Sequence, residues 1–357
     1  LEHAPVETPA GKIPSDNVEV NGEMMQVLSR LRFMTGEKKY LDMACRIADY
    51  YLLGAHHPTR AAKQLKLRDH GCELVSGLTE VYAACHFIRK DKARAYRKPI
   101  HDMLDRILEV GINEHGMMYD AVDPKTGKVL KNRIGDNWGY NYNGFYTVYL
   151  LDGIDRYRQA TRHAMGNLKP HYWKFAWQGW GSDGIADAVE GAINLFNRET
   201  NVEGVPEWID ANIARMLLIQ KPDGVIEGWH GDGNYARTAI LWVLSKQQGV
   251  TIQPWRDDVR LGAVRKGDTL HLVLAADRPW RGRLIFDQPR HKTVMRLPRD
   301  YPRINQFPEW FTVQAAQQWT VDTDGKRQIH AGGELIKGLP ITLDAEQTAR
   351  LTVIRAK

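Results

Sequence analysis

Apolar side chains recur at helical spacing from residue 21 to about 249, interrupted by polar and glycine-containing turns. Met24, Val27, Leu28, Leu31 and Met34 form one stripe, which Thr35-Gly36 ends; after a short turn Tyr40, Leu41, Ala44, Ile47, Ala48 and Tyr51 form the next. The unit returns. Asn21-Gly22, His70-Gly71, Asn143-Gly144, Asp183-Gly184 and Asp232-Gly233 each introduce a strongly apolar run, and each is expected to cap an equivalent helix. More polar helices are expected near 38–53, 92–110, 154–166 and 204–220, after short turns such as TGEK, RKDK and LDGID. Four and a half helical hairpins are thus predicted, the apolar helices inside and the polar ones outside. The connections back to the inner row (54–70, 111–142, 167–182 and 221–232) are long and fall at one end, which is therefore expected to carry the functional surface.

Near residue 250 the period changes. VRLGAVRKGDTLHLVLAA, WRGRLIFD, WFTVQAAQQWTV, KRQIHAGGELIKG and ARLTVIRAK alternate apolar and polar residues, with turn signals at Lys266-Gly267-Asp268 and Asp324-Gly325. The expected organisation is an extended segment over 1–20, a toroid of α/α hairpins, complete or incomplete, over 21–250, and an antiparallel β-sandwich over 255–357. A length of 357 residues suits two domains.

Composition narrows the class. No apolar run reaches the roughly 20 residues that span a bilayer, so no membrane span is expected. The chain opens at Leu1, and its first residues have neither a basic nor an apolar leader region. A removed signal peptide, and a secreted or periplasmic location, are the expectation. Cys45, Cys72 and Cys85 lie in helical apolar patterns without metal-ligand spacing and read as small core residues, so neither metal nor cofactor is expected. A net charge of +6 and a pI near 9.0 favour anionic partners. The basic residues are dispersed and no nucleic-acid motif occurs, which points away from nucleic acid. Eleven Trp and fourteen Tyr exceed what two cores need and point instead to sugar rings, hence to an acidic poly- or oligosaccharide.

A helical-hairpin toroid followed by an antiparallel β domain resembles the chondroitin, alginate and heparin types of polysaccharide lyase and, more broadly, the six- and seven-hairpin glycosidase superfamily. Stretches such as GDNWGYNYNGFY, SDGIADAVEGAINLFNRE and DGNYART are similar in style to those enzymes. The resemblance implies a carbohydrate-active enzyme, and the same toroid hosts lyases, hydrolases and epimerases.

Candidate chemistry concentrates in three connections. KNRIGDNWGYNYNGFY, read as a loop over 131–146, gathers Asp136, Asn137, Trp138, Tyr140, Asn141, Tyr142 and Asn143. DGVIEGWHGDGNYART offers Glu227, Trp229, His230, Asp232, Asn234, Tyr235 and Arg237, with Arg237 able to pair with a substrate carboxylate, Asp183 or Glu190. The third, WKFAWQGWGSDGIAD, supplies Trp173, Trp177 and Trp180 as stacking platforms ahead of Asp183, and His70 mirrors His230.

Two reactions fit. In β-elimination, Asn137, Asn141, His230 and Arg237 would stabilise an enolate-like charge while Tyr140 or Tyr142 moves protons. In hydrolysis, two of Asp136, Asp183, Glu227 and Asp232 would act as paired carboxyl groups. Elimination on a uronate polymer is the slightly favoured expectation; a non-catalytic glycan binder is the third. In these readings Tyr140, Tyr142, Asn141, Asp183, His230, Asp232 and Arg237 are catalytic candidates. Substrate binding is assigned to His70, Asn137, Trp138, Asn143, Trp177, Trp180, Glu227, Trp229 and Asn234.

Overall fold

The computed structural model describes residues 5–226, 233–302 and 307–356. The chain forms two compact units: residues 1–238 with 295–306, and residues 239–294 with 307–357.

The first unit is built of helical hairpins. Helices α1 (Val18–Thr35) and α2 (Lys38–Leu52) make the first. Strand β1 (Leu65–Lys66) leads to α3 (Cys72–Ile88) and α4 (Lys90–Val110), and strands β2 (Tyr119–Val122) and β3 (Val129–Ile134) to α5 (Trp138–Asp152) and α6 (Asp155–Gly166). The short α7 (Leu168–Tyr172) and a 3-10 turn at Trp177–Trp180 precede α8 (Ser182–Phe196) and α9 (Val205–Leu218). Helix α10 (Asn234–Lys246) begins in the first unit and continues into the second.

Helices α1, α3, α5 and α8 pack in that order as an inner row, each backed by its hairpin partner α2, α4, α6 or α9. Sequence dictates the layering: α3 and α8 are buried over nearly their whole length, whereas α4 and α6 bury one stripe. The hairpin layering expected from the apolar period is therefore present, with the outer helices close to their expected ranges. The long connections also hold structure that periodicity did not announce. Strands β1, β2 and β3 form one small antiparallel sheet.

None of Asn21, His70, Asn143 and Asp183 caps an inner helix with its side chain, and Asp232 lies outside the described residues. Asn17 caps α1, its Oδ1 accepting from the Glu19 and Val20 amides, and Asn21 lies a turn further in, buried and donating to Tyr51 Oη at 2.9 Å. Asn143 is in the second turn of α5 and Asp183 is the second residue of α8, while His70 precedes the Gly71 cap of α3; none of α3, α5 and α8 has a side-chain cap. Of the dipeptide glycines, Gly22 of α1 and Gly144 of α5 lie where inner helices touch, a Cβ on them falling 2.4 Å from the Glu73 carbonyl and 3.0 Å from Thr79 Oγ1 of α3, whereas Gly71 and Gly184 meet Lys66 and Gln178. Glycines outside the dipeptides make contacts of the same kind. A Cβ on Gly77 of α3 would lie 2.4 Å from the Gly22 carbonyl of α1, and one on Gly139 of α5 would lie 2.4 Å from Gly191 Cα of α8. Only hydrogen fits there, so the backbones approach directly.

Antiparallel sheets make up most of the second unit. Strands β4 (Thr251–Gln253), β5 (Val259–Lys266), β6 (Thr269–Ala276) and β7 (Trp280–Ile285) precede helix α11 (Arg290–Thr293). Then follow β8 (Gln318–Thr323), β9 (Lys326–Ala331), helix α12 (Gly332–Lys337), β10 (Leu339–Leu343) and β11 (Thr348–Arg355). One sheet has the order β10-β7-β4 and the other β5-β6-β11-β8-β9. Alternate residues of β6 and β11, Leu270, Leu272, Leu274, Leu351 and Val353, meet Trp280, Leu284 and Leu343 of the other sheet in one core. The expected antiparallel sheets of the C-terminal part are thus present; the stretch after His330, expected as a strand, is instead the short helix α12.

Candidate functional site

Residues 131–146 are not a loop. β3 runs to Ile134 and α5 starts at Trp138, so the polar and aromatic residues point around a helix instead of into one cleft. Trp138 and Tyr142 are fully buried and meet edge to face; Tyr142 donates to the Gly116 carbonyl at 2.7 Å, and burial pushes its phenol well above the usual range. Asn141 Nδ2 donates to the Leu67 carbonyl at 2.7 Å, fastening the strand segment before α3. Asn143, 3% exposed, lies away from these groups beside Ser76, Thr79 and Glu80. Trp177 is also core, stacked near Tyr172 and edge-on to Trp208. Four of the expected binding or catalytic aromatic and amide groups therefore serve packing: Tyr142, Asn141, Trp138 and Trp177.

Tyr140 goes elsewhere. Two residues from Tyr142, it occupies a different face of α5, where its hydroxyl lies 2.7 Å from Asp187 Oδ1 and 2.6 Å from Glu190 Oε2. Asn137 donates to Asp187 Oδ2 at 2.7 Å. Arg237, in the first turn of α10, pairs with Glu190 Oε2, approaches Tyr140 Oη at 3.3 Å and donates to Asn234 Oδ1 at 2.7 Å. Asn234 in turn donates to Asp183 Oδ1 at 2.8 Å. Asp183, Asp187 and Glu190 stand at i, i+4 and i+7 of α8 and so share one face.

A second carboxylate anchors the same region. Asp136, buried in front of α5, takes the Arg68 guanidinium in a fork, Nε to Oδ1 at 3.1 Å and Nη2 to Oδ2 at 3.2 Å. Its Oδ2 lies against Gly184 of α8. Burial raises its pKa even though Arg68 opposes the shift. Arg68 also pairs with Asp69, whose amide donates to Asn137 Oδ1 at 3.0 Å. Asp69 and His70 both have left-handed backbones, φ 32° and 53°, as do Gln178 and Trp180 in the turn entering α8, φ 47° and 70°. Such non-glycine conformations persist where surrounding contacts impose them.

Proton placement follows from counting hydrogens. A tyrosine hydroxyl has one, so it cannot donate to both Asp187 and Glu190. One carboxyl must hold a proton. Burial pushes Asp187 up to about 8, helped by the charges of Glu190, Asp183 and Asp136. The consistent arrangement is a relay in which Asp187 Oδ1 donates to Tyr140 Oη, Tyr140 donates to Glu190, and Arg237 balances Glu190. Asp187 is 8% exposed and Glu190 is fully buried, whereas Asp183 is half-buried.

Of the other expected residues, His70 is exposed and meets Glu19 at 2.6 Å. Trp180 is 43% exposed, with the Arg215 guanidinium 5.2 Å from its ring. Glu227, Trp229, His230 and Asp232 lie outside the described residues. The structure thus brings together Asn137, Tyr140, Asp183, Asn234 and Arg237, and adds Asp187, Arg68 and Asp69, none of which the sequence reading singled out. The α8 acids did leave a trace: three carboxyl groups at the core-facing period of an otherwise apolar helix. Arg68 and Asp69 had no comparable signal in LKLRDHG.

No protein-family model matches the chain, and comparison with curated proteins gives no match. Among solved structures the chain is similar to a cellobiose 2-epimerase from Spirochaeta thermophila, with 14% identity over 66% of this chain and 70% of that one, at a TM-score of 0.47. It is similar to a GH127 β-L-arabinofuranosidase from Geobacillus stearothermophilus, with 9% identity over 96% and 74% and a TM-score of 0.36. To another GH127 β-arabinofuranosidase it has 13% identity over 98% of this chain and 53% of that one, with a TM-score of 0.33. These are similarities of backbone path at low identity, and the reactions named belong to those proteins.

Proposed function

We propose that the chain is a carbohydrate-active enzyme that hydrolyses glycosidic bonds with paired carboxyl groups. One observation carries this: a carboxyl, Asp187, that keeps its proton to about pH 8 within a relay through Tyr140 to Glu190, on the same helix face as the partly exposed Asp183. A neutral carboxylic acid at physiological pH is what protonation of a leaving glycosidic oxygen requires. Asp187 is the proton donor in this reading, and Asp183 the carboxylate that activates water or attacks the sugar. Tyr140, Glu190 and Arg237 position that proton and restore it. The carbohydrate class rests on the resemblance carried by residues 21–250 and on the exposed Trp180 indole three residues before Asp183.

The same electrostatics weigh against elimination on a uronate. A Tyr140 base would become an anion between two carboxyl groups, and Arg237 is committed to Glu190. Among the described residues Asp69, Asp136, Asp183 and Glu190 gather negative charge here, with Arg68 drawn to Asp136 and Asp69 and Arg237 to Glu190, so a substrate carboxylate meets repulsion there. A neutral sugar is the better fit, despite the positive net charge of the chain.

The test is a panel of neutral and uronate-containing oligosaccharides, followed for new reducing ends and for the ultraviolet absorbance of an unsaturated uronate. Reducing ends without that absorbance, lost in Asp187→Asn and Asp183→Asn, are the expected result. Unsaturated product would establish elimination instead, and turnover that survives both substitutions would remove the α8 acids from the chemistry.

A further inference from the structure

Cys45 on α2 and Cys85 on α3 approach each other at 3.4 Å between sulfurs, although 40 residues separate them in sequence. Both are buried, at 3% and 0% exposure, and both are free thiols. The hydrogen-bonding scheme described for the α8 acids does not involve them. We propose that Cys45 and Cys85 form a disulfide that cross-links the outer helix α2 to the inner helix α3 when the chain folds in the presence of a small-molecule disulfide oxidant.

Geometry favours this pair over any pairing with Cys72. A disulfide has sulfurs about 2.05 Å apart, so the Cys45 and Cys85 sulfurs need to close by only about 1.4 Å. Cys72 opens α3, with its sulfur near its neighbour Glu73, and Cys85 lies 13 positions further along the same helix. At 1.5 Å per residue that is roughly 20 Å of helix axis, beyond the span of any disulfide.

The chemistry of the two thiols is already divided. The hydrogen bond from Cys85 draws the Cys45 thiol below its usual range, and the same contact pushes Cys85 up, so Cys45 is the first nucleophile. The Cys45 thiolate attacks one sulfur of the oxidant RSSR, releasing one thiolate and leaving a mixed disulfide. Cys85 then gives up its proton, and its sulfur attacks Cys45 Sγ and expels the second thiolate. Two electrons leave the protein thiols and RSSR becomes two RSH, which take up the two protons. Because both sulfurs are buried, the oxidant reaches them before the helices close. The same burial afterwards shields the bond from reductant.

Refold the full chain with oxidised and reduced glutathione, and in parallel with excess dithiothreitol. Denature, alkylate without reduction and measure the intact mass. The oxidised sample is expected to take one alkyl group, on Cys72, and the reduced sample three; digestion should give a Cys45–Cys85 linked peptide. Closing so long a loop is expected to raise the melting midpoint by roughly 5 °C, an increment that Cys72→Ser retains and Cys45→Ser or Cys85→Ser loses. Should either cysteine variant fail to fold, the mass count on Cys72→Ser still decides: no alkyl group taken up supports the bond, and two overturn it. Three alkyl groups on the oxidised wild-type chain, or a bridge to Cys72, would equally overturn it.

Discussion

Tyr140 and Tyr142 sit two positions apart on α5, and the helix sends them to opposite tasks. Tyr142→Phe removes a buried hydroxyl from the Gly116 carbonyl and should cost about 1–3 kcal/mol of stability, read by urea unfolding, while turnover is kept. Tyr140→Phe interrupts the proton path between Asp187 and Glu190 and should lower turnover by about 100-fold or more with the fold intact. Asp187 adds a pH signature. Its folded pKa, about 8, lies above the roughly 3.9 of an unfolded aspartate. Its favourable contribution is therefore complete below about pH 4 and is lost as pH rises through 8, with a slope of about 1.4 kcal/mol per pH unit between them. Asp187→Asn, which carries no titrating proton, should flatten the wild-type fall in unfolding free energy over that window; an unchanged slope would place the proton elsewhere. None of this division was legible in the string DNWGYNYNG. Residue types showed that polar and aromatic groups were concentrated there, but which of them share a face depended on the helix beginning at Trp138, four residues after a strand.

At the scale of elements, the apolar period made the hairpins readable because inner and outer helices differ in how much of their circumference is wet. Polar-glycine dipeptides were readable as recurring marks but not in meaning. Gly22 and Gly144 lie at contacts between inner helices, as do Gly77, Gly139 and Gly191 outside the dipeptides, whereas Gly71 and Gly184 meet Lys66 and Gln178; Asn17, four residues before Asn21, does the capping of α1. The two roles separate by mutation. Gly77→Ala or Gly139→Ala sets a methyl carbon 2.4 Å from a neighbouring backbone and should cost about 3 kcal/mol or more. Asn17→Ala loses one cap and should cost about 1 kcal/mol. Equal effects in thermal melts would contradict the assignment of close approach to the glycines. Gly22 and Gly77, or Gly139 and Gly191, are too far apart in sequence for the pairings to be inferred without knowing which helices are neighbours.

For the molecule as a whole, the change from helical to alternating period near residue 250 is clear, yet the compact units do not follow chain order. Residues 295–306 return to the helical unit, where Leu297 and Tyr301, 4% and 1% exposed, pack with Ala83 and against Phe33, Leu150 and Leu151. Arg299 donates to the Leu150 carbonyl and Arg198 meets Asp300 at 2.8 Å. Nothing in MRLPRDYPRINQ distinguishes this segment from a loop, since the buried residues among those described, Leu297, Tyr301 and Pro302, make no period. A fragment of residues 1–250 retains every hairpin of the inner row and lacks this segment. It should therefore expose the Ala83 patch, bind a hydrophobic dye and melt below the helical transition of the full chain. Adding Leu297→Ala to the full chain should reproduce part of that loss, about 2–5 kcal/mol for a buried leucine. If the fragment melts as the full chain does, residues 295–306 lie on the helical core without supporting it, and the stability of the hairpin unit resides in its inner row alone.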